Sequence, residues 1–377
     1  MKEKKTASVK RQLIRYIRDS RLETGAKMLS QQELRMKFVC GAATLTNALA
    51  ELAQEGVVEI RERIGVFVRN AKASDGYSRR VGILVNARYS SPFITLLHLE
   101  MENALSNQDC RTIWFRYAQD GDKPHPCGID DIPGLRQAIR EGEIDGVISM
   151  MVVSPGMPLA LKGYGIPMVE VMNSTPGANH FSLDFEYIIN GSVERLVRAG
   201  IQKIELMVAS VDNSLADFFL DAVKRHGLDG IGRRHVHIRG FNGLDDTYSE
   251  WMNGIFHDWL NRPQDDQPQG IIIPDDMLAL HFRLFLLKNT SWQSPSLFNM
   301  PFQSAMASSS TWCPEVLALY NSNLGMPILP TNVGYWQLDV REMAEKTVER
   351  FLFMMRNGLY EVDSLRFHPT FDATTVV

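Results

Sequence analysis

Apolar positions along the first seventy residues recur at helical spacing, and along the rest of the chain they gather into short unbroken runs. Val9, Leu13 and Ile17 stand at i, i+4 and i+8, which predicts an amphipathic helix over Ser8–Ser20 with Arg11, Arg15 and Arg18 on its outer face. Gly25 breaks the pattern, and Ser30-Gln31-Gln32-Glu33 then reads as a capping box that opens a second helix over Gln31–Phe38. After a turn through Val39-Cys40-Gly41, Leu45, Ala48, Leu49 and Leu52 line one face of a third helix. Glu55-Gly56 closes it, glycine being suited to the left-handed C-terminal position. Val57–Ile60 and Val66–Arg69 form two short strands around the basic tip Arg61-Glu62-Arg63-Ile64-Gly65. Three helices followed by a basic-tipped hairpin is the order of a winged helix-turn-helix, in which the third helix enters a DNA major groove and the wing lies beside the backbone.

Asn70–Arg80 is small, polar and turn-rich, as a linker is. From Val81 onward buried-strand runs alternate with helix-length segments: Val81–Val85, an amphipathic Thr95–Leu105, Thr112–Phe115, Leu135–Arg140, Val147–Val153, Pro167–Val171, Lys203–Val208 and Gly270–Ile273. Such alternation implies an α/β fold of parallel sheets with helices on both faces.

The charge balance follows the same division. Of 40 Lys/Arg and 44 Asp/Glu, residues 1–80 hold 17 and 9, leaving 23 and 35 for residues 81–377. A basic head on an acidic body suits a polyanion-binding module attached to a sensor, although short basic N-termini are also common solvated segments. The apolar runs are too short to cross a bilayer, and Met1–Lys10 lacks the apolar core of a secretory signal. Cys40, Cys110, Cys127 and Cys313 are scattered with no C-x-x-C pair, a pattern that fits a reducing cytoplasm better than a disulfide framework or a zinc site.

The run Leu29-Ser30 through Phe38, Thr44-Leu45, Ala48–Leu52, Glu55-Gly56 and Gly65-Val66-Phe67-Val68 resembles the head of the GntR regulator family over about residues 8–69. The resemblance implies DNA binding, with Gln32, Thr44, Thr46, Asn47, Arg61 and Arg63 as candidate contacts. The family carries arginines where this chain has Gln32, Ala42 and Thr46, and a glycine at the wing position held by Arg63. Base reading then rests on Thr44, Thr46 and Asn47: Asn pairs with an adenine edge and Thr touches a thymine methyl, without the usual arginine route to guanine. Arg61 and Arg63 are assigned to phosphates or the minor groove.

Asp145-Gly146-Val147-Ile148 with Gly165–Val169, Asp184 with Gly191 and Leu196–Ile204, and Ile271–Asp276 with Ala279 resemble the sensor of the LacI family over roughly 81–377. That resemblance implies a two-lobed, periplasmic-binding-protein-like domain with a cleft for a small-molecule effector, and dimerisation through the sensor. The domains are then 1–72 (winged helix-turn-helix), 73–80 (linker) and 81–377 (sensor), with one lobe at about 81–180 and 302–332 and the other at 181–301 and 333–377. Family positions carried onto this chain give Phe93, Asn173, Phe241, Asp275 and Asn299 as effector contacts, the last after a strand at Ser296-Leu297-Phe298. Each has a structural alternative. Asn173 and Asn299 serve equally as turn caps, Asp275 or Asp276 as a cap for a helix over Met277–Leu287, and Phe93 and Phe241 as core residues. The family's ligand-gripping arginine is replaced by Leu215, which argues against an arginine-held pyranose and for an effector gripped differently.

No Gly-x-Ser-x-Gly, P-loop or His-Glu-x-x-His pattern occurs, which argues against an enzyme. His235-x-His237 reads as a surface strand rather than a metal pair. Asp245-Asp246 and Asp275-Asp276, taken as strand residues, would point to opposite faces and share no proton. The expectation is a cytoplasmic DNA-binding transcriptional regulator, a repressor, that pairs as a homodimer on a double-stranded operator. It would answer to a sugar-like effector and use no cofactor, no metal and no membrane. The alternative is a solute-binding or scaffold protein whose head has lost DNA affinity.

Overall fold

The computed structural model describes residues 2–20, 22–71, 79–87, 91–118, 127–150, 153–172, 179–209, 214–239, 246–289, 312–321, 329 and 331–373. The head is built from α1 (Lys2–Asp19), α2 (Gln31–Lys37), α3 (Ala42–Gln54) and an antiparallel hairpin of β1 (Val58–Arg61) and β2 (Gly65–Val68). Val9, Leu13, Ile17, Leu34, Leu45, Leu49, Leu52, Val66 and Val68 close one apolar core. The capping box forms as read: Glu33 N–H donates to Ser30 Oγ at 3.3 Å, and Ser30 N–H donates to Glu33 Oε2 at 2.8 Å. Lys27 bridges Phe67, which gives the hairpin a third edge. One expectation is corrected. Arg11, Arg15 and Arg18 do not face water but lie against the sensor domain, because carbonyl oxygens and a carboxylate there accept from guanidinium groups already standing clear of the head's apolar core.

The sensor has two six-stranded sheets. The first is ordered β13-β7-β6-β5-β3-β4 and is parallel throughout. Its strands are β3 (Arg79–Asn86), β4 (Cys110–Tyr117), β5 (Gly146–Met150), β6 (Met168–Val171), β7 (His180–Leu183) and β13 (Leu365–Phe367). The second is ordered β14-β12-β11-β10-β8-β9, with strands β8 (Ile204–Ala209), β9 (Val236–Arg239), β10 (Gly270–Ile273), β11 (Glu315–Asn321), β12 (Tyr335–Leu338) and β14 (Thr370–Asp372). Only its edge strand β14 runs antiparallel. Continuous apolar runs such as Ile271-Ile272-Ile273 are what a strand covered on both faces requires.

Among the described residues the chain passes between the lobes three times: after β7, after β12, and between β13 and β14. Asp184 caps the Phe185–Arg198 helix at the first crossing, and Asp339 caps the Val340–Asn357 helix at the second. Gly191 leaves room for the Trp336 ring, since a Cβ there would stand 2.8 Å from it, and Trp336 Nε1 donates to Ser192 Oγ at 2.8 Å.

The lobe limits read from the sequence need correction. Strand β11 lies in the second sheet, not the first lobe, while β7, β13 and the Val340–Asn357 helix belong with the first. Strand β3 also begins at Arg79, inside the stretch read as linker. Buried parallel strands look alike in sequence, and only the partner each pairs with tells which sheet it joins.

Candidate functional site

Thr46 and Asn47 are exposed on the outer face of α3, Thr44 is half-buried one turn back, and Gln32 is exposed on α2. Leu45, Ala48, Leu49 and Leu52 point the other way into the head core, so the α3 face left outside carries the predicted base readers. Arg61 lies with its guanidinium 4.3 Å from the centre of the Phe67 ring and 3.0 Å from Glu59, which holds its pKa above the ordinary value. Arg63 sits at the hairpin tip with φ +62°, in the left-handed region where glycine is at ease, and that is the physical sense of the glycine it replaces. Val39, between α2 and α3, has φ +48° and is 92% exposed.

The second candidate region lies at the carboxyl ends of the strands, where open parallel sheets present their loops. Strand β10 ends at Ile273, and the Asp276–Asn289 helix begins three residues later. Asp276 reaches the opposite lobe: its carboxylate accepts the backbone N–H of Phe93 at 2.8 Å, in the first turn of the Pro92–Ser106 helix. Ser91 also bonds to Asp276 and caps its own helix by accepting from Ile94 N–H at 3.0 Å. Burial raises Asp276 above the usual carboxylate range.

Asp275 accepts from Leu278 N–H at 2.8 Å and so caps the following helix. Burial, and then the charge of Asp276, push it up to about 7. The two carboxylates therefore do act on each other, contrary to the strand reading, because the strand has ended before them.

Among the other expected contacts, Phe93 puts its ring into the core of the first lobe, and it is its backbone N–H that faces the second. Asn173, Phe241 and Asn299, with the strand expected at Ser296–Phe298, lie outside the described residues. Leu215 is buried with Ile189, Phe219 and Val223, so this position is core rather than a vacant place for an arginine.

His237 is corrected as well. It is half-buried with Nε2 2.7 Å from Glu205 Oε2. Burial opposes the charge on Glu205, but hydrogen bonds with His237, Arg262 and Trp259 outweigh it and hold the pKa below the ordinary value. Among the described residues no group of three His, Cys, Asp or Glu is placed to hold a metal, and no helix is long and apolar enough to cross a membrane.

Sequence reading missed two features of these sites. The sequence offers Asp276 as a cap and as one of an acidic pair but not as an effector contact, although it stands three residues before Ala279, a legible signal. The inward turn of the α1 arginines had no such signal, because a charged helix face reads the same whether it meets water or a partner.

A winged-helix reader joined to a two-lobed α/β body with a bridged cleft is a two-part architecture, and comparison with known proteins divides in the same place. Residues 5–68 match the family described as bacterial regulatory proteins, gntR family. No curated protein sequence matches the chain. The fold resembles that of a LacI family transcriptional regulator from Enterococcus faecium with bound ribose (TM-score 0.56, 16% identity, covering 79% of this chain and 100% of that one). It also resembles transcription regulator CcpA of Lactococcus lactis (0.56, 13%, 78% and 98%). A third similar structure is the Cra transcriptional dual regulator of Pseudomonas putida in complex with fructose 1-phosphate (0.55, 14%, 78% and 98%). The chain thus joins a head that matches the gntR family model over residues 5–68 to a body whose fold is similar to that of LacI family regulators.

Proposed function

We propose that the chain is a sequence-specific DNA-binding transcriptional repressor of the cytoplasm, switched by a small sugar or related metabolite held between the sensor lobes. The head match over residues 5–68, with Thr46 and Asn47 presented outward on α3, supports the DNA half. The observation that carries the effector half is Asp276 reaching across the cleft to Phe93 N–H: a half-buried carboxylate at the meeting of two lobes, beside the hydroxyl of Ser91, has the polar character that hydroxyl-bearing ligands need. Ligand can switch the head only by binding two lobe arrangements with different affinity. Thr44, Thr46, Asn47 and Gln32 are the proposed base-side contacts, and Arg61 and Arg63 the backbone contacts. Asp276 joins Asp275, Asn173, Phe241 and Asn299 around the effector. Pairing of two copies would set two half-sites on the operator. Leu99 and Phe353, exposed on two neighbouring helices of the first lobe, offer apolar surface for that pairing.

Two measurements test the halves separately. A gel shift on duplex DNA should be strong for the full chain, fall steeply with salt, and vanish for a chain beginning at Ala73. A full chain that shifts no DNA at low salt supports instead a solute-binding protein with a disarmed head, the reading favoured by the lack of arginine at Gln32, Ala42 and Thr46. A thermal-shift screen of monosaccharides, sugar alcohols and sugar phosphates, begun with ribose and fructose 1-phosphate, should find a ligand. At about a hundred times its dissociation constant such a ligand adds about 2.7 kcal/mol of stability.

A further inference from the structure

Helix α1 has two working faces. One closes the head core through Val9, Leu13 and Ile17, and the other lies on the first lobe of the sensor. There Arg11 donates to the carbonyl oxygens of Glu141 at 2.9 Å and Gly142 at 3.2 Å. Arg15 donates to Asp145 Oδ1 at 2.8 Å and to the Ile144 carbonyl, and Arg18 stands 3.7 Å from the same carboxylate. The other carboxylate oxygen of Asp145 accepts the backbone N–H of Arg80 at 2.8 Å, just inside the start of β3. Asp145 therefore holds the head, and the beginning of the sensor's first strand, at one point. Gly142 makes the approach possible: a Cβ there would stand 3.2 Å from Gln12 Cγ and 3.6 Å from the Ser8 carbonyl oxygen, and its φ is +62°. The side chains of Arg15, Arg18 and Asp145 keep only 11–16% of their exposure, so salt screens them far less than it screens an open surface pair.

This surface lies at the amino ends of β3 and β5, the opposite end of the lobe from the cleft. We propose that the 141–145 loop is a docking site for the DNA-binding head, with Asp145 as its positioning residue, so that the head and the first lobe move as one body. A rotation between the lobes would then displace the head directly, through the 141–145 loop. The docking concerns the path from sensor to head and stands whatever effector the cleft takes.

The test uses nitrogen-15 relaxation of the head amides in the full chain, compared among wild type, D145N, Arg15→Met and the double variant. Docking predicts that wild-type head amides relax at the rate of the whole particle. Each single variant should release the head, so that its amides relax severalfold more slowly. Loss of a charge-assisted bond should shift the docked-to-undocked ratio by about tenfold or more. The double variant should release it by less than the sum of the two single effects, because the Arg15–Asp145 bond is common to both changes. Retained binding of a random-sequence duplex by D145N would show that the released head is still folded. The proposal is overturned if the wild-type head already tumbles on its own or if D145N leaves it docked. It is equally overturned if the two changes add as independent effects, or if D145N collapses the head's amide dispersion and with it the duplex binding.

Discussion

Asp276 and Phe93, 183 residues apart in the chain, meet through one hydrogen bond of 2.8 Å between a carboxylate of the second lobe and a backbone N–H of the first. The donor sits at the start of one helix, where a backbone N–H has no intrahelical acceptor, and the acceptor at the start of another, where it also accepts from the backbone N–H of Met277. A bond to a charged group is worth about 1.5–3 kcal/mol when its partners are shielded from water. Asp276→Ala should therefore weaken the contact between the lobes by about that amount. Small-angle scattering of the unliganded protein should show a larger radius of gyration. An unchanged radius would mean that other contacts hold the lobes together.

The neighbouring carboxyl predicts a dependence on pH. Asp275 is raised to about 7 by burial and then by Asp276, whereas an unfolded aspartate titrates near about 3.9. The folded state binds the proton more tightly, so the stability contributed is fully present below the unfolded value and is lost as pH rises through the folded one. Sensor stability should thus fall between about pH 4 and 7 on account of this group. Asp275→Asn keeps a good helix cap without the charge, and should raise the melting temperature at neutral pH while flattening that slope. A lower melting temperature for the variant, with the slope intact, would contradict the assignment.

Much of this was legible along the chain. The capping box at Ser30 and Glu33, the α3 face and the hairpin follow from spacing, since each is settled by residues a few positions apart. Asp184 and Gly191 could be picked out as landmarks, and the structure shows one capping a helix at a crossing and the other making room for Trp336. What spacing does not carry is pairing at long range. Strand β11 reads like any buried strand until its partners β10 and β12 are known. Arg15 and Asp145 are 130 residues apart, and nothing near either announces the other.

Leu215 is another position whose surroundings spacing does not carry. Its side chain is 3% exposed among Ile189, Phe219 and Val223, so arginine at this position would place a charge in the second lobe's core. Leu215→Arg should cost about 3 kcal/mol of stability and should not tighten sugar binding. Chemical denaturation of the full chain is the direct measurement, and an arginine variant as stable as wild type would return the position to the cleft.

The wing and the third helix should fail in different ways. Asn47 is exposed on α3, and Asn47→Ala should relax base preference at one operator position at a cost of about 1–3 kcal/mol there, leaving random duplex nearly untouched. Arg61 is laid along Phe67 and steadied by Glu59, a posture that aims the guanidinium without tying it to one base. Arg61→Ala should weaken all sequences alike and lower the salt slope by about 1. Arg63 adds a conflict between backbone and charge, since at φ +62° it carries strain of about 1–2 kcal/mol that glycine would not. Glycine's greater freedom in the unfolded chain gives back about 0.5–1 kcal/mol of that, so Arg63→Gly should stabilise the head slightly. It should also bind DNA less tightly, having lost a phosphate partner. Opposite signs in melting temperature and duplex affinity are the signature of a strained residue kept for its charge. If both fall together, the arginine is holding the wing in shape, and the DNA contact must be sought elsewhere on the hairpin.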